Sequence, residues 1–307
     1  MTQIVATRSG RPAPSDVVRR LPEYLMIWVP LLLSAAHLVS FSLWTIWISF
    51  TPSTLVPVSG WVGLRNYTAV AASRNWQIAF DNLLLFGSAF VLLSAATGLI
   101  LAILLDQRIR GENLLRSIFL YPLAVSFVVT GTVWSWLLNP GLGIQKLVHD
   151  LGWTSFKFDW LIDRDMAIWT IVIAAIWQSS GFAMALFLAG LRSVDADLIK
   201  AAQIDGAGPV RMYRRIILPT LWPITITVVV IQLQFAISAF DLVRALTNGG
   251  PGIATQLPAL VVYDLMFQRS LLGRGAAAAV LMLLILLAVL LPYAAWRYLQ
   301  RRRAAHA

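Results

Sequence analysis

Cysteine is missing from this sequence of 307 residues, and charge is scarce. Without cysteine the chain has no disulfide bond, no thiolate metal site and no cysteine nucleophile. Charged residues are 12% of the chain, about half of their usual share in soluble domains. Hydrophobic residues are 59%, and the mean hydropathy is +0.75. Because a soluble surface needs far more charge, this composition indicates a polytopic membrane protein.

The common catalytic motifs are also missing. The chain has three histidines but no His-Glu-x-x-His pair and no Gly-x-Ser-x-Gly elbow. A Gly-Lys dipeptide occurs nowhere, which excludes a phosphate-binding P-loop. We therefore predict no catalytic residue, no metal site and no cofactor on this chain. If its activity consumes ATP, another chain must bind the nucleotide.

Six apolar runs are long enough to cross a bilayer, which takes about 20 helical residues. None of them contains Lys, Arg, Asp or Glu; they are Tyr24–Phe50, Asn82–Leu105, Ser117–Leu138, Met166–Leu191, Pro219–Phe240 and Gly275–Trp296. The first run is too long for a signal peptide and no Ala-x-Ala site follows it, so a retained anchor is expected. The sequence predicts an all-α membrane protein with six transmembrane helices.

The basic residues predict the orientation of these helices. Lys and Arg outnumber Asp and Glu by 24 to 14, giving a net charge of +10. They are scattered between apolar runs and form no concentrated basic face, so nucleic acid is not an expected partner. With the N-terminus inside, inner segments hold 16 of the 24 and outer loops hold 8. Cytoplasmic loops are enriched in Lys and Arg, so both termini are predicted to be cytoplasmic.

The inner loop between the fourth and fifth spans has the clearest local pattern. Asp195 predicts the start of a helix, and Asp197 in its first turn suits the helix dipole. Gly206 predicts its end, and Pro209 predicts the start of a second short helix. Pro219 is expected to break that second helix and open the next span. The first helix is either a docking element for a partner or an interfacial helix resting on lipid headgroups.

The same loop carries a resemblance to a known family. Lys200-Ala201-Ala202-x-x-x-Gly206, then nine residues and Ile216-x-Leu218-Pro219, resembles the EAA loop of permease subunits in binding-protein-dependent ABC importers. The match includes Asp205-Gly206-Ala207, and it departs at Lys200, where the family often has Glu. Three further segments resemble the sugar-importing branch: Leu120-Tyr121-Pro122, Phe187–Leu191 and Thr247-Asn248-Gly249-Gly250-Pro251. The whole chain is most similar in appearance to glucose/mannose-type permeases.

The resemblance implies a type I importer in the bacterial inner membrane. A second homologous permease subunit would share the central path, two cytoplasmic ABC ATPase subunits would bind ATP and Mg, and a periplasmic binding protein would deliver a carbohydrate. Coupling to the ATPase is expected at Lys200, Ala201, Ala202, Asp205, Gly206, Ala207 and Pro219. The expected organisation is a cytoplasmic tail at 1–23, a first transmembrane helix at 24–50, a five-helix permease core at 78–296 and a basic cytoplasmic tail at 297–307.

Two groups of residues are candidates for the sugar path. Gln234, Ser238 and Asp241 are spaced i, i+4 and i+7, which predicts one helix face in and just beyond the fifth span. The fourth span contributes Trp177, Gln178, Ser179 and Phe182. Amides, hydroxyls, carboxylates and aromatic faces suit sugars, and family members place sugar contacts along these two helices. The alternative is interhelical hydrogen bonding, which is common in membrane bundles.

Two other classes of function are weighed against this one. A stand-alone ion-coupled secondary transporter usually has ionisable residues and paired half-helices inside its spans. Here His37 is the sole ionisable side chain of that kind in the six spans, and no repeat is evident. An intramembrane enzyme would need an acid–base constellation that the spans lack. A transporter for another small polar solute stays open, because the sequence does not identify the sugar.

Overall fold

The structure is a computed structural model that describes residues 14–107 and 109–305. These residues form helices and loops, and no strand occurs among them. The helices are α1 (Pro14–Ser49), α2 (Arg65–Ala71), α3 (Arg74–Leu105), α4 (Glu112–Ala124), α5 (Phe127–Leu137), α6 (Ile144–Asp150), α7 (Ala167–Arg192), α8 (Ala196–Ile204), α9 (Pro209–Met212), α10 (Leu218–Thr220), α11 (Trp222–Ile237), α12 (Phe240–Leu246), α13 (Pro258–Tyr263) and α14 (Leu272–Ala305). Two π-helical turns, Tyr213–Ile217 and Asp264–Gln268, follow α9 and α13. The prediction of an all-α protein is confirmed.

Four helices of the described chain are long and apolar enough to cross a membrane. They are Met26–Ser49 within α1, α3, α7 and Leu272–Leu299 within α14. Two bent pairs also qualify if each pair is one span: α4 with α5, and Pro209–Thr220 with α11. The bends are 97° and 64°. The predicted count of six therefore depends on these two pairs and stays a prediction.

The third predicted span, Ser117–Leu138, is not one continuous helix. Pro122 lacks an amide hydrogen and crowds the preceding turn, and α4 ends two residues later, at Ala124. Val125 and Ser126 are extended, with ψ of 137° and 142°. The Ser126 side chain then accepts a hydrogen bond from the Val128 amide and caps α5. Ser117–Leu138 therefore qualifies as a span only as a broken pair of helices, because the proline ends α4 rather than bending it slightly.

The prediction that Pro219 breaks the second loop helix is also wrong. The helix continues to Thr220, and the break comes at Leu221. The Leu218 amide donates to the Tyr213 carbonyl, an i→i+5 bond that widens the turn before Pro219. This π-helical turn accommodates a proline ring that would crowd a regular helix. Pro223 then lies in the first turn of α11, where its missing donor costs little.

α7 is the centre of the helix packing. Gly181 meets the backbone of α4 at Phe119, and Gly190 meets the Leu221 side chain where α11 begins. From the other side, Gly98 of α3 approaches α7 so closely that a Cβ there would lie 2.8 Å from the Met184 nitrogen. Small residues allow such close helix approach in membranes. The buried core consequently lies between α3, α7, α11 and α12.

The first helix lies at the edge of this core. α1 begins at Pro14, before the predicted start at Tyr24, and contacts α14. The most apolar stretch of its Met26–Ser49 segment has no residue buried against the rest of the chain. Such a face suits lipid or a neighbouring subunit. Residues 1–13 of the predicted N-terminal tail and residues 306–307 of the C-terminal tail lie outside the described residues.

Candidate functional site

The predicted cap of the first loop helix is confirmed. The Asp195 side chain accepts a hydrogen bond of 2.8 Å from the Asp197 amide at the start of α8. Asp197 in turn binds the ammonium of Lys200 at 3.0 Å. Lys200 is therefore paired within its own helix. Both side chains are exposed to solvent, so the pair contributes little to stability.

The turn after α8 depends on Gly206. Its φ is +74°, in the left-handed region that favours glycine. The Ala207 amide donates to the Ala202 carbonyl at 2.9 Å, and the Gly206 amide donates to Gln203 at 3.1 Å, which closes the helix end. A Cβ at Gly206 would meet nothing within 4 Å. The need for glycine comes from the backbone angle and not from lack of space.

The turn projects from the protein as an apolar tip with basic flanks. Ile204 and Val210 on either side of Gly206 are 87% and 79% exposed. Ala201 and Asp205 are exposed as well, whereas Ala202 is buried. A cavity of about 510 Å³ next to the tip is lined by Gly206, Gly208, Pro209, Val210, Arg211, Arg214 and Arg215. Exposed apolar side chains on a capped helix suit insertion into a groove of a partner protein. Pro219, the seventh predicted coupling residue, is exposed farther along the chain.

The fourth-span candidates divide into buried and exposed residues. Gln178 and Ser179 are both 2% exposed. The Gln178 amide nitrogen donates to the Val125 carbonyl at 2.7 Å, so it satisfies a backbone group freed by the break between α4 and α5. Trp177 is 42% exposed and meets Trp134 edge to face at 6.0 Å. Gln178 therefore links α7 to the chain between α4 and α5, whereas the Trp177 ring is partly exposed on the surface.

The predicted polar stripe does not run along one helix. Gln234 lies on α11, which ends at Ile237, and Asp241 lies in the first turn of α12. Ser238 lies between them, in a tight turn where the Phe240 amide donates to its carbonyl at 2.7 Å. The prediction of one continuous helix face is wrong, although all three side chains are exposed. Asp241 at a helix start interacts favourably with the helix dipole.

Three aromatic residues beside these candidates are missed by the sequence reasoning. Phe235 of α11 packs edge to face with Phe182 at 6.2 Å and with Phe127 at 6.4 Å. Trp134 belongs to α5, as Phe127 does. The break before α5 turns this helix against α12, where Gly131 lies close to the Leu242 carbonyl. A straight third span would not bring these aromatic rings to α7 and α11. No local sequence signal points to that arrangement.

The segment Thr247–Pro251 forms a hydrogen-bonded turn. Asn248 and Gly249 both have positive φ, and the Gly250–Pro251 peptide bond is cis. The hydroxyls of Thr247 and Thr255 are 2.7 Å apart. A cavity of about 350 Å³ beside the turn is mostly polar; it is lined by Asn75, Arg244, Asn248, Ile253, Gln256, Leu260, Tyr263, Asp264, Gln268 and Arg269. In the part of the chain that the structure describes, no cluster of three His, Asp or Glu residues could hold a metal.

The family of the chain follows from comparison with known proteins. Residues 94–305 match the family described as "Binding-protein-dependent transport system inner membrane component". This match covers more than half of the chain and includes the capped α8 and the Gly206 turn. The chain belongs to that family, and the predicted recognition of an importer permease is confirmed.

Individual relatives and a solved structure agree with this assignment. A "probable ABC transporter permease protein" of Pyrococcus horikoshii is 38% identical over 91% of this chain and 96% of its own. A xylose/arabinose import permease of Haloferax volcanii is 33% identical over 93% and 90%. A crystal structure of a bacterial ABC transporter involved in import of the acidic polysaccharide alginate gives a TM-score of 0.78, at 20% identity, over 94% of this chain and 98% of that chain. This likeness confirms the type I permease fold.

Proposed function

We propose that this chain is the membrane-spanning permease subunit of an ATP-driven ABC importer that moves a carbohydrate into the cytoplasm. The observation that carries the proposal is the capped helix α8 with its exposed tip at Gly206, within a chain of the binding-protein-dependent family. The relative named for xylose and arabinose import supports a carbohydrate as the solute. Of the rivals, a transporter for another small polar solute shares the same machinery, whereas an ion-coupled carrier does not.

The proposed partners are a second permease subunit, two cytoplasmic ATPase subunits that bind ATP and Mg, and a periplasmic binding protein. ATP binding would move the ATPases, and they would push on the α8 tip. Rigid-body rotation of the two permeases would then open the path to one side of the membrane and close it on the other. Contacts that differ between the two states are required for such a change, and the α8 tip offers them. This chain itself would catalyse no reaction.

Purification with the co-encoded neighbours tests this assembly. We expect a complex containing an ABC ATPase and a second permease, with ATP hydrolysis stimulated by the sugar-loaded binding protein. A chain that purifies alone and moves its solute with an ion gradient would support the secondary transporter instead.

The sugar path is proposed along the exposed residues of α7, α11 and α12. Trp177, Gln234, Ser238 and Asp241 present aromatic, amide, hydroxyl and carboxylate groups at the surface, where a second permease would close the path. Phe182 is half-buried next to Phe235 and would form an apolar wall. The bond from Gln178 to Val125 supports a structural part for this side chain, and Ser179 is equally buried. We assign these last two to holding the bundle together.

Substitutions separate these two assignments. Gln234→Ala and Asp241→Ala are expected to leave the complex and its basal ATP hydrolysis intact but to reduce carbohydrate uptake about tenfold, the effect of losing hydrogen bonds worth roughly 1.4 kcal/mol. Gln178→Ala is expected to lower the thermal stability of the complex, because it leaves the half-buried Val125 carbonyl without its donor. If both path variants keep wild-type uptake and concentration dependence, these residues do not line the path.

The orientation is proposed to place both termini and the loop from Leu191 to Leu218 in the cytoplasm of a bacterial cell, with the chain in the inner membrane. Because there is no native cysteine, single exposed cysteines test this directly. Ser59→Cys and Ser155→Cys should react with an impermeant maleimide in intact cells, and Ser117→Cys and Ser193→Cys should react only after lysis. Labelling of Ser193→Cys in intact cells would contradict the orientation.

The identity of the sugar is a separate proposal. The resemblance points to a glucose/mannose-type substrate, and the delivered sugar is selected largely by the binding protein. A thermal-shift screen of the cognate binding protein against hexoses, pentoses, disaccharides, polyols and sugar acids would identify it. Stabilisation by hexoses alone would support the glucose/mannose assignment, and stabilisation by another class would replace it.

A further inference from the structure

Four charged residues join the inner ends of three helices where the loop of α8 begins. They are Asp106, which follows α3; Glu112 and Arg116 of α4; and Arg192, the last residue of α7. The Arg192 guanidinium lies 2.7 Å from the Glu112 carboxylate and 3.7 Å from that of Asp106. Arg116 lies 3.0 Å from the same Glu112 oxygen. We call this group the inner ion cluster.

The other end of the loop is fixed to the same place by apolar contacts. Met212 and Tyr213 pack against the inner part of the core, which includes Ala102 and Leu105 of α3. Burial, and to a smaller extent the carboxylate of Asp106, raise the pKa of Tyr213 above its ordinary value. Between these two attachments, the segment from α8 to Val210 is largely exposed.

We infer that Arg192 is a positioning residue that ties the start of the α8 loop to α3 and α4. This inference rests on the proposed coupling function of the loop. The guanidinium donates a hydrogen bond to the Glu112 carboxylate, which begins α4, and forms a longer ion pair with the Asp106 carboxylate, which follows α3. A push on the α8 tip is transmitted through Arg192 to three helices together. Without the contacts of Arg192, the loop would move and α3 and α4 would not move with it.

Arg116 provides a matched control within the cluster. It contacts the same Glu112 oxygen as Arg192 and is similarly exposed, but the contact is i,i+4 within α4 and joins no two helices. Arg192→Gln is expected to raise the ATP hydrolysed per carbohydrate imported by roughly threefold or more. Arg116→Gln should leave this ratio near the wild-type value. Arg192→Lys keeps the charge but loses the planar guanidinium with its several donors. Its ratio should lie between those of the other two variants.

A distance measurement tests the inference without using activity. Spin labels on Gln107→Cys and Gln203→Cys, both exposed, report the position of α8 relative to α3 in the assembled nucleotide-free complex. The distance distribution should broaden or shift with Arg192→Gln and stay unchanged with Arg116→Gln. If Arg192→Gln does not assemble, the double substitution Asp106→Asn with Glu112→Gln removes both charge partners of Arg192 instead.

The outcomes separate this inference from the proposed function. An unchanged ratio and an unchanged distance distribution in Arg192→Gln, or in the Asp106→Asn/Glu112→Gln double variant as its substitute, would overturn the positioning role. An equal change in the ratio and in the distance distribution with Arg116→Gln would also overturn the positioning role. The effect would then come from α4 alone. If the wild-type complex shows no ATP-driven uptake, the proposed function fails, while the label distances still report whether Arg192 holds the loop.

Discussion

Replacing Gly181 by alanine is expected to lower both the yield and the thermal stability of the assembled complex. A Cβ at this position would overlap the Phe119 carbonyl oxygen, which is backbone and cannot rotate away. α4 would have to move off α7, and the neighbouring bond from Gln178 to Val125 would be disturbed. Overpacking of this kind costs about 1–3 kcal/mol or more, a large part of a total stability of roughly 5–15 kcal/mol. The measurement is the yield and thermal stability of the purified complex.

Gly87→Ala is the matched control for this prediction. Gly87 is also a buried helical glycine, but a Cβ there would lie 3.7 Å from the Ala236 side chain, which is an ordinary contact. We expect wild-type yield and stability for this variant. Wild-type yield and stability for Gly181→Ala as well would show that α4 and α7 are not packed as described.

Replacing Gly206 by valine is expected to abolish most carbohydrate uptake while the complex still assembles. The left-handed conformation costs an L-residue about 1–2 kcal/mol, and a β-branched side chain adds to the strain. Because the surroundings of Gly206 are open, the strain should be relieved by a change in the turn itself and not by unfolding of the bundle. The α8 tip would then meet the ATPase in a different orientation. We expect at least a tenfold loss of uptake with residual ATP hydrolysis that is poorly coupled to it.

Gly208→Val is a control in the same loop: it adds the same bulk at a backbone angle that does not require glycine. Gly208 also has open surroundings, but its φ of −67° and ψ of 163° suit any residue, including one that precedes a proline. This variant should retain most of the uptake. Unchanged uptake in Gly206→Val would count strongly against a coupling role for the turn.

Local features of the segment from Asp195 to Pro209 are predictable from sequence because they depend on neighbouring residues. A capping carboxylate at Asp195 and a positive φ at Gly206 each follow from the chemistry of one residue. The all-helical membrane class follows from composition in the same way. The bend of 97° at Val125 does not, because Pro122 in a long apolar run is compatible with a slight kink as well as with a complete stop. The carbonyl freed there is satisfied by Gln178, 53 residues away.

The candidate path shows the same limit. The spacing of Gln234, Ser238 and Asp241 fits a helix, but no glycine or proline marks the helix end at Ile237. The aromatic neighbours Phe127 and Trp134 reach α7 and α11 only because α5 is turned after the break. These are tertiary effects that composition and periodicity do not contain. The residue types along the candidate path are therefore easier to predict from sequence than the positions of these side chains relative to one another.

Uptake of a radiolabelled carbohydrate into proteoliposomes tests the central claim most directly. The complex is reconstituted with its binding protein outside and ATP inside, using the sugar that the binding protein selects. We predict accumulation that requires both ATP and the binding protein and that persists when ionophores dissipate ion gradients. Accumulation without ATP that an ionophore abolishes would contradict the account.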